Sequence, residues 1–147
     1  MALAVVGAVA NDFRSERTGQ DREAADTSAV LSYKKLDVYR CAIELLALVA
    51  EVLESLSKGK GNAAIADQLK RAGLSVPLNI AEGAGKSTAA DQTKHYVIAR
   101  GSAMECGAIF DAALVLQLVD AGRADRAEQL ITRIVGMLTK MCHFPVN

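Results

Sequence analysis

Residues 77–87 read PLNIAEGAGKS, and the fold depends on whether these glycines cradle a phosphate or close a packed helix. Gly85-Lys86-Ser87 supplies the tail of a G-x-x-x-x-G-K-[ST] loop, but the first glycine of that pattern should fall at position 80, which is Ile80. Such a loop also needs a buried strand before it, whereas the preceding residues repeat at helical spacing. A phosphate arriving here would meet a helix C-terminus, the negative end of the macrodipole. The stretch therefore reads as the end of a helix, with Gly83 and Gly85 as helix-ending residues suited to positive φ.

The pattern upstream is less ordinary. On a wheel at 100° per residue, Gln68, Arg71, Ser75, Asn79 and Glu82 fall within an arc of about 80°. Ile65, Leu69, Ala72, Val76 and Ile80 flank it on one side, and Leu74, Leu78 and Ala81 on the other. A surface helix ordinarily has one apolar and one polar face; here a polar stripe runs between two apolar ones. A following helical stretch places Ser102 and Glu105 in line with Ile98, Ile109, Ala112 and Leu116. One reading is a buried polar network between these two helices, with Arg71 as the partner of Glu105 and Asn79 and Ser102 completing the hydrogen bonds; an unpaired carboxylate there would be costly. The other is a solvated face whose leucines are only its edges. A third makes Glu82 and Glu105 an acid/base pair, but no nucleophile stands beside them at helical spacing.

Four helical segments are expected. The first starts at Asp37 as cap, carries Val38, Ala42, Leu45, Leu46, Val49, Val52, Leu53 and Leu56, and stops at SKGKGN, residues 57–62. The second spans about 63–84 and contains Pro77, which predicts a kink, or a helix boundary, at the carbonyl of Gly73. The third begins after Ser87 or Thr88, where Thr88 and Asp91 form a capping-box-like start, and runs to about Asp120. Ala121-Gly122-Arg123 breaks it, and the fourth covers about 124–141, with Ala127, Leu130, Ile131, Ile134, Val135 and Leu138 on one side. Short loops between four helices predict an all-α, antiparallel up-and-down four-helix bundle. The domain occupies residues 32–142, between a flexible extension at 1–31 and a tail at 143–147.

Composition narrows the function classes. The 147 residues hold 17 basic and 17 acidic side chains, no Trp and two Pro; the charge balance demands no polyanion partner but leaves a local basic patch open, and so few aromatics argue against a stacking platform. Residues 1–30 hold three basic and five acidic groups, which leaves a small positive excess for the rest. Cys41, Cys106 and Cys142 are far apart and odd in number, which fits a reducing cytoplasm. Cys142-His143 reads as half a metal site or as a terminal thiol beside a surface imidazole; no second pair completes it. MALAVVGAVA at the start mimics a short signal h-region, but it lacks a basic n-region and is too short to span a bilayer.

Three stretches resemble a known family. YKKLDVYRCAIELL (33–46), QLKRAGLSVPLNIAEGAG (68–85) and YVIARGSAME (96–105) resemble, in order, the motifs of the bacterial four-helix bundle proteins related to those encoded by 23S ribosomal RNA intervening sequences. The match covers roughly residues 32–120, and the fourth helix agrees only in type. The family's aromatic near the start of helix one corresponds to Tyr39, and its aromatic-rich loop after that helix is replaced by SKGKGN. The resemblance implies ring-like homo-oligomers, commonly pentamers, with no catalysis and no cofactor. It also implies a structural meaning for Gln68, Arg71, Ser75, Asn79, Glu82, Ser102 and Glu105. Related bundles serve diversity-generating retroelements, binding a reverse transcriptase and RNA.

Three function classes follow. The first is a non-enzymatic assembly and binding module that touches RNA, DNA or the ribosome, with Lys34, Lys35, Arg40, Lys70, Lys86, Lys94 and Arg100 as contacts or as solvating charges. The second is a protein-binding accessory subunit, for instance of a reverse transcriptase. The third is a hydrolase using Glu82 or Glu105.

Overall fold

The computed structural model describes residues 31–59 and 62–143. Of the expected extension and tail, only Leu31 and His143 fall within them. A short 3-10 turn at Ser32–Lys35 leads into four helices: α1 (Asp37–Ser57), α2 (Ala63–Ala84), α3 (Ala89–Val115) and α4 (Ala121–His143). Among the described residues there is no strand. Contacts join α1 to α2, α2 to α3, α3 to α4 and α4 to α1, and the diagonal pairs make no close backbone approach. The chain is a four-helix bundle around one apolar interior.

In α1 the apolar period of three and four residues buries Val38, Cys41, Ala42, Leu45, Leu48, Val49, Val52 and Leu56, while Leu53 packs half-buried against that core. Asp37 is not the cap. Leu36 holds that position without a side-chain bond, and Asp37 is the first helical residue, where its charge complements the dipole and accepts from Arg40 Nη1 at 3.2 Å. The 3-10 turn is fastened by an edge contact between the Tyr33 and Tyr39 rings, whose centroids lie 4.8 Å apart.

Helix α2 runs unbroken through the buried Pro77, which removes the reading of that residue as a boundary. Gly73, whose carbonyl faces the proline ring, also lets α1 approach: a Cβ built there would meet both Val49 methyls at 3.3 Å and Leu46 Cδ1 at 3.5 Å. The expectation of positive φ for Gly83 and Gly85 is corrected. Gly85 has φ −85°. Gly83 is a buried helical residue whose missing Cβ makes room for α3; one built there would stand 2.7 Å from Tyr96 Cε1 and 3.1 Å from His95 Cβ. The glycine is required by packing rather than by dihedral freedom.

Thr88 caps α3, its Oγ1 accepting from the Asp91 amide at 3.2 Å and donating to the Asp91 carboxylate at 2.8 Å. The helix ends at Val115, short of the expected Asp120. Gln117 adopts φ 58°, the Leu118 amide donates to the Ala113 carbonyl at 2.8 Å, and the Gln117 amide donates to Leu114 at 3.0 Å. This is a Schellman stop built without glycine. Asp120 then caps α4, its Oδ1 accepting from the Arg123 amide at 2.9 Å. Ala121, Gly122 and Arg123 thus open α4 instead of preceding it.

Between α2 and α3, and between α3 and α4, the contacts run in opposed numbering. Leu46 and Val49 lie against Gly73, while Ser75 meets Ser102 and the later Asn79 meets the earlier His95. Arg100 donates to Thr139 at 3.4 Å, and Gly107 lies beside Ile131.

Gly83→Ala tests the packing account. Overpacking against Tyr96 is expected to lower stability by about 1–3 kcal/mol despite alanine's better helix propensity, read as a lower urea midpoint at unchanged m-value.

Candidate functional site

The seam between α2 and α3 collects the polar side chains that the sequence singles out, and it divides them. At its centre Ser75 Oγ and Ser102 Oγ lie 2.7 Å apart, with Ser102 the one buried polar residue among those described. Asn79 Nδ2 donates to the Ser75 carbonyl at 2.9 Å and to Ser75 Oγ at 3.1 Å. That orientation turns Asn79 Oδ1 toward His95 Nδ1 at 3.2 Å. An amide oxygen only accepts, so the network assigns the proton to Nδ1. His95 Nε2 stands 3.6 Å from Glu82 Oε1, and Glu82 also pairs with Lys86 at 3.3 Å. No buried side-chain nitrogen or oxygen among the described residues lacks a partner.

His95 is the member that helical periodicity missed. It lies sixteen residues from Asn79, and no wheel drawn on one helix places it beside the stripe of another.

The other end of the stripe corrects the expected ion pair. Arg71 is exposed and reaches only Asp67 on its own helix, at 3.9 Å. Glu105 is also exposed, and no ion pair among the described residues includes it. Gln68 is exposed as well and shares with Glu105 an open groove of about 340 Å³ lined by Ala64, Ile65, Ala108, Ile109 and Ala112. The buried part of the seam is therefore neutral, and the charges lie outside it. Desolvating an ion pair costs several kcal/mol per ion, whereas two hydroxyls can satisfy each other in a narrow space.

The network holds no activated nucleophile. Between the Ser75 hydroxyl and the His95 imidazole stands an amide, which is not a base, and His95 Nδ1 is committed as a donor. Burial pushes the Cys106 thiol up to about 12 and raises that of Cys41, which disfavours thiolate at neutral pH. Cys142 is half-buried and His143 exposed at the end of α4.

The seven candidate cations are dispersed. Lys34 and Lys35 are exposed in the 3-10 turn, and Lys70 is exposed on α2. Arg40, Lys86 and Lys94 each sit beside an acid of their own helix or its end, the last with Asp91 at 3.0 Å. Arg100 is half-buried and donates to Thr139 of α4.

The outward surface is the feature that an ordinary bundle lacks. Leu74 and Leu78 of α2, Val97, Ile98, Met104, Leu114 and Val115 of α3, and Leu116 just after it are all exposed, with Leu78 at 62% and Val115 at 83%. These are the exposed large hydrophobics among the described residues, and none lies on α1 or α4. Helix α3 thus carries apolar side chains on its outward as well as its inward side, with Lys94, Glu105 and Asp111 exposed among them.

Fold and site together define a helical bundle with a hydrogen-bonded seam and an uncovered apolar flank. Over residues 34–140 the chain matches the family described as 23S rRNA-intervening sequence protein, and it belongs to that family. No curated protein matches the chain. No helix among the described residues is long and apolar enough to cross a membrane.

A double-mutant cycle tests the seam. Ser75→Ala and Ser102→Ala are each expected to lose about 1 kcal/mol, and the pair together less than the sum, because removing both hydroxyls leaves neither unsatisfied. Equilibrium urea denaturation of the four proteins reads the coupling.

Proposed function

We propose that this chain is a non-enzymatic, self-assembling module: an antiparallel up-and-down bundle that associates with copies of itself through the outer face of α2 and α3 and presents the assembled surface to RNA or the ribosome in the cytoplasm. The observation that carries the reading is the segregation of every exposed large hydrophobic in the described residues to α2, α3 and the turn that follows. Large apolar side chains left exposed together on two neighbouring helices mark surfaces where subunits meet. A heterologous contact between such faces closes into a ring when the rotation permits, and the family resemblance favours a pentamer. The opposed numbering of neighbouring helices supports the antiparallel course.

The nucleic-acid part of the reading rests on multiplication. Each chain offers a few cations without a close acidic neighbour, chiefly Lys34, Lys35 and Lys70, and an oligomer repeats them around its rim. The absence of a base beside either seam hydroxyl favours a binding role over hydrolysis by Glu82 or Glu105.

Sedimentation velocity across a concentration series tests the assembly. The parent is expected to sediment as an oligomer, and Leu78→Glu or Ile98→Glu as a smaller species with unchanged helicity by circular dichroism. A parent that remains monomeric at high concentration would refute the reading. Fluorescence anisotropy with a structured RNA tests the second part: binding should weaken steeply with salt, and Lys34→Glu with Lys35→Glu should flatten that dependence. Anisotropy indifferent to protein at low salt would leave only the protein-binding role.

A further inference from the structure

We propose that the apolar stretch MALAVVGAVA, residues 1–10, folds back onto the α2–α3 flank of its own chain and covers Leu74, Leu78 and Ile98. This contact is separate from the self-association proposed above and competes with it for one face.

Leu74, Leu78 and Ile98 are 38%, 62% and 50% exposed. They share one stretch of the seam, since the Ser75–Ser102 and Asn79–His95 contacts place residues 74–79 of α2 beside residues 95–102 of α3. Exposed charges stand at both ends of that stretch, Arg71 and Glu105 at one and Glu82 and Lys94 at the other. An apolar patch with a charged rim marks a contact surface. It suits a short occupant without charged side chains, because a charge laid against these aliphatic groups would lose its water.

The chain itself carries such a segment. Residues 1–10 hold no charged side chain, and nine of the ten are apolar, Gly7 being the exception. Residues 11–30 hold eight charged side chains and suit a tether rather than a cover. The described chain starts at Leu31, and the 3-10 turn after it touches both α1 and α2. Leu53 and Leu56 lie beside Ala63, Ala66 and Lys70, whereas Leu46 and Val49 lie beside Gly73. Helices α1 and α2 are therefore opposed in sense, and the start of α1 falls at the Ala84 end of α2. Leu78 stands six residues from that end and Ile98 nine from the Ala89 start of α3, about 9 and 14 Å at 1.5 Å per residue. A coil of twenty residues spans about 25 Å. The tether is long enough to carry residues 1–10 around the bundle to the flank. It is also short enough to hold them there at high effective concentration, which favours the same chain over a neighbour's segment.

Photocross-linking of the full chain tests the cover. p-Benzoylphenylalanine introduced at Leu78, and separately at Ile98, reports what lies against each position. Equal parts of isotope-labelled and unlabelled protein, refolded together from urea, distinguish adducts within a chain from adducts between chains by mass. Adducts to residues 1–10 within one chain are expected. Val5→Asp with Val6→Asp should reduce their yield roughly tenfold, at unchanged helicity by circular dichroism. Adducts to residues 1–10 found only in mixed-isotope pairs place the segment on a neighbour and overturn the proposal. Adducts to α2 or α3 of another copy, without residues 1–10, overturn it while supporting self-association. Absence of residues 1–10 from every adduct, or a yield indifferent to the two aspartates, also overturns it, and sedimentation of the parent judges self-association separately.

Discussion

The close approach of α2 and α3 is the constraint from which the rest follows. Two hydroxyls, Ser75 and Ser102, meet at 2.7 Å, and a glycine at 83 makes room for the ring of Tyr96 where a methyl group would collide. Small side chains and a self-satisfied hydrogen bond allow two backbones to pack tightly with no charge inside. Asn79 extends the network by donating to Ser75, and its carbonyl oxygen in turn holds His95. The register of the central pair of helices is therefore set by polar contacts, while the stability of the bundle comes from the leucines, valines and isoleucines of its interior.

That register also decides what is left outside. With Ser102 turned into the seam, the residues on the far side of α3 must face away from the bundle, and they include Val97, Met104 and Val115. A helix of 27 residues that is apolar on opposite sides cannot bury both against one bundle. Its outer side is surplus to the fold and stays exposed.

Much of the bundle was legible in the sequence because helices report themselves locally. The bounds of α2 and the Thr88 cap of α3 follow from apolar spacing and capping chemistry that involve only near neighbours. The stop of α3 was not legible: Gln117 takes a left-handed conformation that residue type disfavours, held by the amides of Gln117 and Leu118 on earlier carbonyls. Asp120 then serves as a cap, and a stretch with the look of a breaker becomes the first turn of α4. The glycines at 83 and 85 illustrate the same limit, since residue type alone does not separate a dihedral requirement from a spatial one.

By itself the sequence determined that four amphipathic or doubly apolar helices exist, and that one of them carries a polar stripe flanked by apolar residues. Periodicity and capping are properties of a few consecutive residues, so they survive without knowledge of the partner. Only the tertiary structure decided which part of that stripe is buried. Burial of Ser102, half-burial of Ser75 and Asn79, exposure of Arg71 and Glu105, and the entry of His95 depend on how two helices sit against each other. That placement is chosen by the desolvation of charge against the pairing of neutral groups, a balance struck between residues far apart in the chain.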